Sequence, residues 1–166
     1  RTPDGKINLF SEQLDAEAPR GLYGYQDASE NEFPLTLISP ASNSTICSML
    51  GELVERAAPL EMHPDDAQTR GIQKDDAVRV FNGLGEVQCP VSLTDTIRPG
   101  TVCLPKGLWK KNTFNGSTSN ALVADTLTDL GGGACFNDAR VEVERIVRAN
   151  YEGAAVTIST SSSKIH

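Results

Sequence analysis

AVRVFNGLGEVQCPVSL, residues 77–93, decides the architecture. Apolar and polar residues alternate at period two in Ala77–Phe81 and again in Glu86–Leu93. A strand throws successive side chains to opposite faces, so each run reads as a half-buried strand. In the second run Val87, Cys89, Val91 and Leu93 share one face, and Glu86, Gln88 and Ser92 the other. Asn82-Gly83-Leu84-Gly85 between them has the length of a hairpin loop. Pro90 has no N–H to give to a ladder, so it fits an edge or a bulge.

Outward from this hairpin the chain keeps the same character. Arg98-Pro99-Gly100 is a turn into a further strand, Thr101–Leu104. Upstream, His63-Pro64-Asp65-Asp66-Ala67 opens a short helix, with proline and acids suited to a first turn and Gly71 suited to the C′ position. Pro59–Met62 reads as extended and Leu53–Arg56 as a helical turn. Leu35–Ile38, bounded by Pro34 and Pro40, is a compact apolar run of the kind that forms a buried strand. Residues 106–119, KGLWKKNTFNGSTS, form a long basic loop; loops of this length inside compact domains are usually functional or disordered. Short strands, frequent turns and only brief helices predict a mainly β fold, a small β-barrel with long loops. Residues 1–32 read as an arm or linker from an upstream domain, with one short strand at Lys6–Phe10. Residues 33–148 read as the barrel, and 149–166 as a C-terminal tail that frays.

Composition narrows the function classes. A chain of 166 residues with 39% hydrophobic and 22% charged residues suits one soluble domain with its own core. The net charge of −7 argues against general affinity for nucleic acid or anionic lipid. It leaves room for a small anionic ligand, because charges beyond ~8 Å are largely screened. No apolar run approaches the ~18 residues of a spanning helix, so no membrane insertion of this segment is expected. Cys47, Cys89, Cys103 and Cys135 form no Cys-x-x-Cys pair, and no His stands at metal-ligand spacing. Reduced thiols, a cytoplasmic setting and no metal site within the chain are the expectation; spacing alone leaves a disulfide open. Arg1 in place of a starting methionine suggests a fragment or a processed chain.

The stretch NALVADTLTDLGGGACFNDARVEV, residues 120–143, is the most suggestive of a ligand. Asn120 and Asp125, three glycines (Gly131, Gly132, Gly133) and the Asn137-Asp138 pair precede an alternating strand. Consecutive glycines permit positive φ and close approach of a ligand. Carboxylates and amides around them can read the edge of a flat heterocycle.

The ordered set of SPASNS after a strand, PLEMHPDDAQTRGI, AVRVFNGLGEV, RPGTVCLPKGLW and the 120–143 stretch resembles the C-terminal domain of molybdopterin-dinucleotide oxidoreductases. That family includes formate dehydrogenases, nitrate reductases and dimethyl sulfoxide reductase-type enzymes. The resemblance covers residues 1–146. It implies a double-psi β-barrel of about six strands that holds part of a bis(molybdopterin guanine dinucleotide) cofactor with molybdenum or tungsten. The remaining domains of the parent enzyme would carry the iron–sulfur cluster and the metal ligand, with electron-transfer subunits as further partners. This segment alone is not expected to be catalytic. The parent would be cytoplasmic, with the periplasm as the alternative. A stand-alone, non-catalytic pterin-binding subunit is the competing reading, and a double-psi barrel turned to another use is a third.

The resemblance carries over to particular residues. Asn120 and Asp125 match the family's Asn-x-Leu-x-x-Asp pattern, and Asp66 its "DA" position; their amide or carboxylate suits a guanine or pterin edge. Helix capping is the bland role for Asp66, and capping of the Thr126–Leu130 turn for Asp125. Lys106 and Gly107 suit a pyrophosphate, with Lys110 and Lys111 read as surface charges. Trp109 either stacks on a ring or packs as a partly buried core residue. Ser39, Ser42, Asn43, Ser44 and Ser48 are hydrogen-bonding candidates, as are Asn137 and Asp138. His63 is read as a packing or capping residue. Where the family often shows SNHFINSSFG this chain has SNSTICSMLG, with Ser44 for His and Cys47 for Asn. Val123 stands for a common Thr, Asn137 for a common His, and Asp75 for a turn glycine; Asp tolerates positive φ better than most residues.

Overall fold

The computed structural model describes residues 2, 4–17, 32–128, 131–134, 137 and 139–146. The chain divides into two units, Arg1–Glu32 and Phe33–His166. In the first unit the expected strand at Lys6–Phe10 does not form. The Thr2 hydroxyl donates to the Lys6 carbonyl and the Lys6 N–H to Asp4 Oδ1, so a local polar turn uses the groups a ladder would need. One turn and a half of helix, α1 (Glu12–Glu17), follows instead and buries none of its residues.

The second unit is a closed barrel of six strands: β1 (Leu35–Ile38), β2 (Leu60–Met62), β3 (Ala77–Phe81), β4 (Glu86–Leu93), β5 (Thr101–Cys103) and β6 (Ala139–Arg145). Around the ring they run β1-β5-β2-β4-β3-β6. β1 pairs with β5 in parallel and β2 with β4 in parallel, while the other neighbours are antiparallel. Exchanging β1, β2 and β3 for β4, β5 and β6 maps this ring onto itself and each parallel pair onto the other. Two interleaved halves of this kind make the double-psi barrel that the family resemblance implied. Closure leaves no edge strand to protect.

The alternation read from the sequence fills the interior. Leu35 and Leu37, Leu60 and Met62, Val78 and Val80, Val87, Cys89 and Val91, Val102, and Val141 and Val143 are all buried. Each such aliphatic side chain contributes about 1.5–3 kcal/mol through removal from water. Pro90 pairs with Ala77 and stands one residue before β4 enters register with β2 at Val91. Its missing N–H therefore falls where the β2 ladder has not begun, a local edge inside a closed barrel. Helix α2 (Pro64–Thr69) is capped by His63, whose Nδ1 accepts the Asp65 N–H at 3.2 Å, and it ends at Gly71. Asp75 takes φ 65°, the conformation expected where a glycine is common. The helical turn forms slightly earlier than read, as a 3-10 turn at Gly51–Leu53.

Strand directions give the barrel two different ends. β1, β3 and β5 finish, and β2, β4 and β6 begin, at one end, here called the mouth. The connections 39–59, 82–85 and 104–138 all leave from it. Leu122, fully buried, lies beneath it: Asn82 Nδ2 donates to the Leu122 carbonyl at 2.8 Å and to the Arg140 carbonyl at 3.0 Å. Helix α2 and the turn before β5 lie at the opposite end.

Candidate functional site

Of the residues singled out from the sequence, Ser39, Ser42, Asn43, Ser44, Lys106, Gly107, Trp109, Asn120, Asp125 and Asn137 all lie on connections at the mouth. Asp138 lies outside the described residues, as does Cys135. Asp66 lies at the other end. Its Oδ2 accepts the Gly100 N–H at 2.7 Å, tying α2 to the turn that starts β5. The structure thus gives Asp66 a supporting role and does not bring it to the other candidates.

Two loops make one side of the mouth, and they are held together closely. The β1–β5 pairing continues past the strands, with Leu104 N–H to the Ile38 carbonyl at 3.1 Å and Lys106 N–H to the Pro40 carbonyl at 3.0 Å. Gly107, at φ 77°, lies flat against the Cys47–Ser48 peptide: a Cβ there would be 2.3 Å from the Cys47 carbonyl. Only glycine allows that approach and that backbone conformation together. The Trp109 indole N–H donates to the Ser48 carbonyl at 2.6 Å, and its ring covers Gly51 so closely that a Cβ would fall 2.2 Å from Nε1. Trp109 remains 40% exposed. Lys111 Nζ donates to the Glu52 carbonyl at 3.0 Å and sits 5.6 Å from the Trp109 ring centroid. Beside this clamp an open groove of about 570 Å³ is lined by Leu108, Trp109, Lys110, Lys111, Gly116 and Thr118.

Asn112 is the residue in this region that no sequence pattern singles out. It stands in a basic run, yet it is buried and donates from Nδ2 to the Val54 and Arg56 carbonyls, both at 3.0 Å. No local pattern marks it as buried, because the two carbonyls that its Nδ2 meets are more than fifty positions away. On the near side of the same loop, Ser42 Oγ accepts the Ser44 N–H at 3.1 Å and lies 3.0 Å from Ser44 Oγ and 3.1 Å from Thr45 Oγ1. Ser42 therefore shapes the turn that presents Asn43 and Ser44, both exposed.

Ser39 and Asn137, 98 positions apart, are brought into contact. Asn137 Oδ1 accepts the Ser39 N–H at 3.1 Å. Ser39 continues the inward alternation of Leu35 and Leu37 and is 6% exposed. Its Oγ is buried without a hydrogen-bond partner, a singular case among the described residues. An unmet buried hydroxyl costs about 1–3 kcal/mol, so its presence at the mouth fits a polar ligand group that meets it.

Asn120 and Asp125 are exposed, and so is Gly132. The glycines belong to a small hairpin closed by Thr128, whose N–H donates to the Gly133 carbonyl at 2.7 Å and whose Oγ1 accepts the Gly133 N–H at 2.9 Å. Positive φ is used at Gly132 alone of the three. Asn120, in the 3-10 turn Ser119–Leu122, and Asp125 thus share the mouth and face solvent there. Among the described residues no group of three His, Cys, Asp or Glu is placed to hold a metal.

A family model described as the molydopterin dinucleotide binding domain matches residues 42–140. The chain is 30% identical over 151 residues to the probable oxidoreductase YoaE of Bacillus subtilis, covering 87% of this chain and 22% of that protein. It is 31% identical over 170 residues to the dimethyl sulfoxide reductase DmsA of Escherichia coli, covering 87% of this chain and 21% of that protein. The chain thus spans about a fifth of the length of these relatives. Among solved structures, acetylene hydratase from Pelobacter acetylenicus superposes with a TM-score of 0.65 at 18% identity, covering 87% of this chain and 24% of that one. At that identity the likeness concerns the fold.

Proposed function

This chain belongs to the molybdopterin dinucleotide-binding domain family, and from that premise we propose that its barrel mouth holds the guanine dinucleotide arm of a bis(molybdopterin guanine dinucleotide) cofactor carrying molybdenum or tungsten. The parent protein, on this reading, is a larger oxidoreductase of the dimethyl sulfoxide reductase type. The relatives' names and their greater length support that assignment. Its other domains would carry the metal ligand and an iron–sulfur cluster, and electron-transfer subunits would be its partners. A cytoplasmic location, with the periplasm as alternative, belongs to the same proposal.

Ser39, with Asn137 behind it, would meet the buried polar edge of the ligand. Ser42, Asn43 and Ser44 would supply donors along one side. Asn120 and Asp125, exposed at the same mouth, suit the amide edge of guanine, which offers ring N–H and NH₂ donors to a fixed acceptor. When bound, the cofactor supplies the redox chemistry, and the protein supplies binding, orientation and exclusion of water. Asp66 has no part in this.

The buried, unpartnered Ser39 hydroxyl carries the reading, and Ser39→Ala in the full-length enzyme tests it. Removing an unmet hydroxyl from a protein that binds nothing there leaves stability unchanged or raises it by about 1 kcal/mol. Removing a ligand contact weakens cofactor retention by about 3- to 10-fold. The expected result is both at once: a cofactor-free protein no less stable, and a dialysed enzyme with less molybdenum or tungsten and less releasable GMP. Unchanged metal and guanine content would overturn the proposal.

A further inference from the structure

Asparagine precedes glycine at two places in this chain, Asn82-Gly83 and Asn115-Gly116, and the fold treats the two differently. Glycine has no side chain to shield its backbone nitrogen, so that nitrogen can attack the side-chain amide before it. Both asparagines fold over the next peptide. Their Oδ1 atoms accept the N–H two residues on, from Leu84 at 2.9 Å and from Ser117 at 3.2 Å. Such a turn holds Cγ beside the glycine nitrogen in each case. The leaving amide separates them. Asn82 is half-buried, and its Nδ2 is held by the Leu122 and Arg140 carbonyls at 2.8 and 3.0 Å. Asn115 is exposed, and its Nδ2 meets the Glu86 carbonyl at 3.2 Å.

Asn115 also holds a loop in place. β4 pairs with β2 from Val91 to Leu93, so the same edge of β4 is left uncovered by β2 at Glu86–Cys89. The connection after β5 takes up that edge. Phe114 N–H donates to the Gln88 carbonyl at 2.7 Å, and Gln88 N–H donates to Asn115 Oδ1 at 3.2 Å. With its Nδ2 on Glu86, the Asn115 side chain offers the acceptor and donor of a peptide group. We propose that Asn115-Gly116 is a site of spontaneous deamidation, and that the reaction releases this loop from β4. The Gly116 nitrogen gives up its proton and bonds to Asn115 Cγ, Nδ2 leaves with that proton as ammonia, and a cyclic succinimide closes. Water then opens either carbonyl of the ring, leaving aspartate or isoaspartate at position 115. Water is the co-reactant, and nothing is oxidised or reduced. A carboxylate oxygen then faces the Glu86 carbonyl where a donor stood, and isoaspartate lengthens the backbone by a methylene. The loop so released carries Gly107 and Trp109, and Gly116 itself lines the groove beside that tryptophan. None of this requires a ligand at the mouth.

The second Asn-Gly pair makes the test internal. The full-length protein is held for weeks in mildly alkaline buffer, native and in urea, and then digested. Mass spectrometry follows amide-to-acid conversion and the separately eluting aspartate and isoaspartate peptides. In the folded protein Asn115 converts at least about tenfold faster than Asn82, because its bonds are fewer and longer and local opening frees it first. In urea the two rates converge, since the dipeptide is the same. Equal rates in the folded protein, faster conversion at Asn82, or an Asn115 that stays intact until the chain is unfolded would overturn the proposal. Asn115→Asp, which matches one of the two products, tests the release. Proteolytic cleavage within 106–119 should run at least about threefold faster in this variant than in the parent. Cleavage at the parent's rate would mean that the modified loop stays on β4.

Discussion

The side-chain amide of Asn112 is used at both ends. Nδ2 donates to the Val54 and Arg56 carbonyls, and Oδ1 accepts the Trp109 N–H at 3.0 Å, while the Asn112 carbonyl accepts the Ala58 N–H at 2.9 Å. A residue 2% exposed thus anchors the connection from β1 to β2 onto the connection that follows β5. Asn112→Ala takes the partner from two carbonyls and one N–H in part-buried surroundings, and a cost of about 2–4 kcal/mol is expected. Asn112→Asp should be no better, because a carboxylate would face two carbonyl oxygens. Asn115 makes comparable bonds, to Gln88 N–H at 3.2 Å and the Glu86 carbonyl at 3.2 Å, but is exposed. Asn115→Ala should therefore cost less, about 1 kcal/mol, since water replaces the lost partners. Urea unfolding of the three variants checks the order; an Asn112→Ala midpoint equal to that of Asn115→Ala would refute the anchoring role. This contrast also shows why half of the site was legible. Ser39 and Asn137 belong to recognisable segments and could be named in advance, though their contact could not. Asn112 sits in Lys-Lys-Asn, which reads as a surface turn, and nothing local reveals that it is swallowed by a distant loop.

At the level of elements, period-two alternation located β3 and β4, and the proline- and glycine-bounded runs located β1 and β5, because those patterns express one buried face. The arm failed for the converse reason: Lys6–Phe10 has strand-like residues, but a strand needs a partner, and the polar turn at Thr2–Lys6 uses its groups locally. The triglycine segment forms a small hairpin closed by Thr128, a position that glycine composition, which fixes permission for a bend and not its place, does not reveal. Gly107 is the glycine whose absence of a side chain matters most at the mouth. Gly107→Ala meets both positive φ and a carbonyl 2.3 Å away, whereas Gly116→Ala, at φ 72° with its nearest contact at 3.8 Å, meets only the first. Strain alone costs about 1 kcal/mol, and displacing the facing peptide adds about 1–3 kcal/mol. Gly107→Ala should accordingly lower the thermal midpoint further than Gly116→Ala and speed proteolytic cleavage within 46–53. Equal cleavage rates in the two variants would show that the two loops do not depend on this contact.

Across the whole barrel, the interleaving of two halves places a cysteine on β4 and another on β5, on either side of β2, and burial governs both. Removal from water pushes the Cys89 thiol up to about 12 from an ordinary 9.0. Burial first, and then the charge and hydrogen bond of Glu61, push Cys103 up to about 11. Below pH 9 both thiols are protonated whether the chain is folded or not, so they leave stability independent of pH. Above it the unfolded chain releases protons that the barrel retains, so unfolding becomes easier as pH rises. The loss should run at about 1.4 kcal/mol per pH unit for each thiol, ending near 11 for Cys103 and near 12 for Cys89. Replacing both by valine will shift stability at every pH through altered packing, but the slope is what tests the assignment. The double variant should lose markedly less stability than the parent between about pH 8.5 and pH 10.5, followed by urea unfolding at each pH. Parallel slopes would mean that the alkaline loss arises in other groups, and that the barrel interior admits enough water to ionise both thiols at their ordinary values.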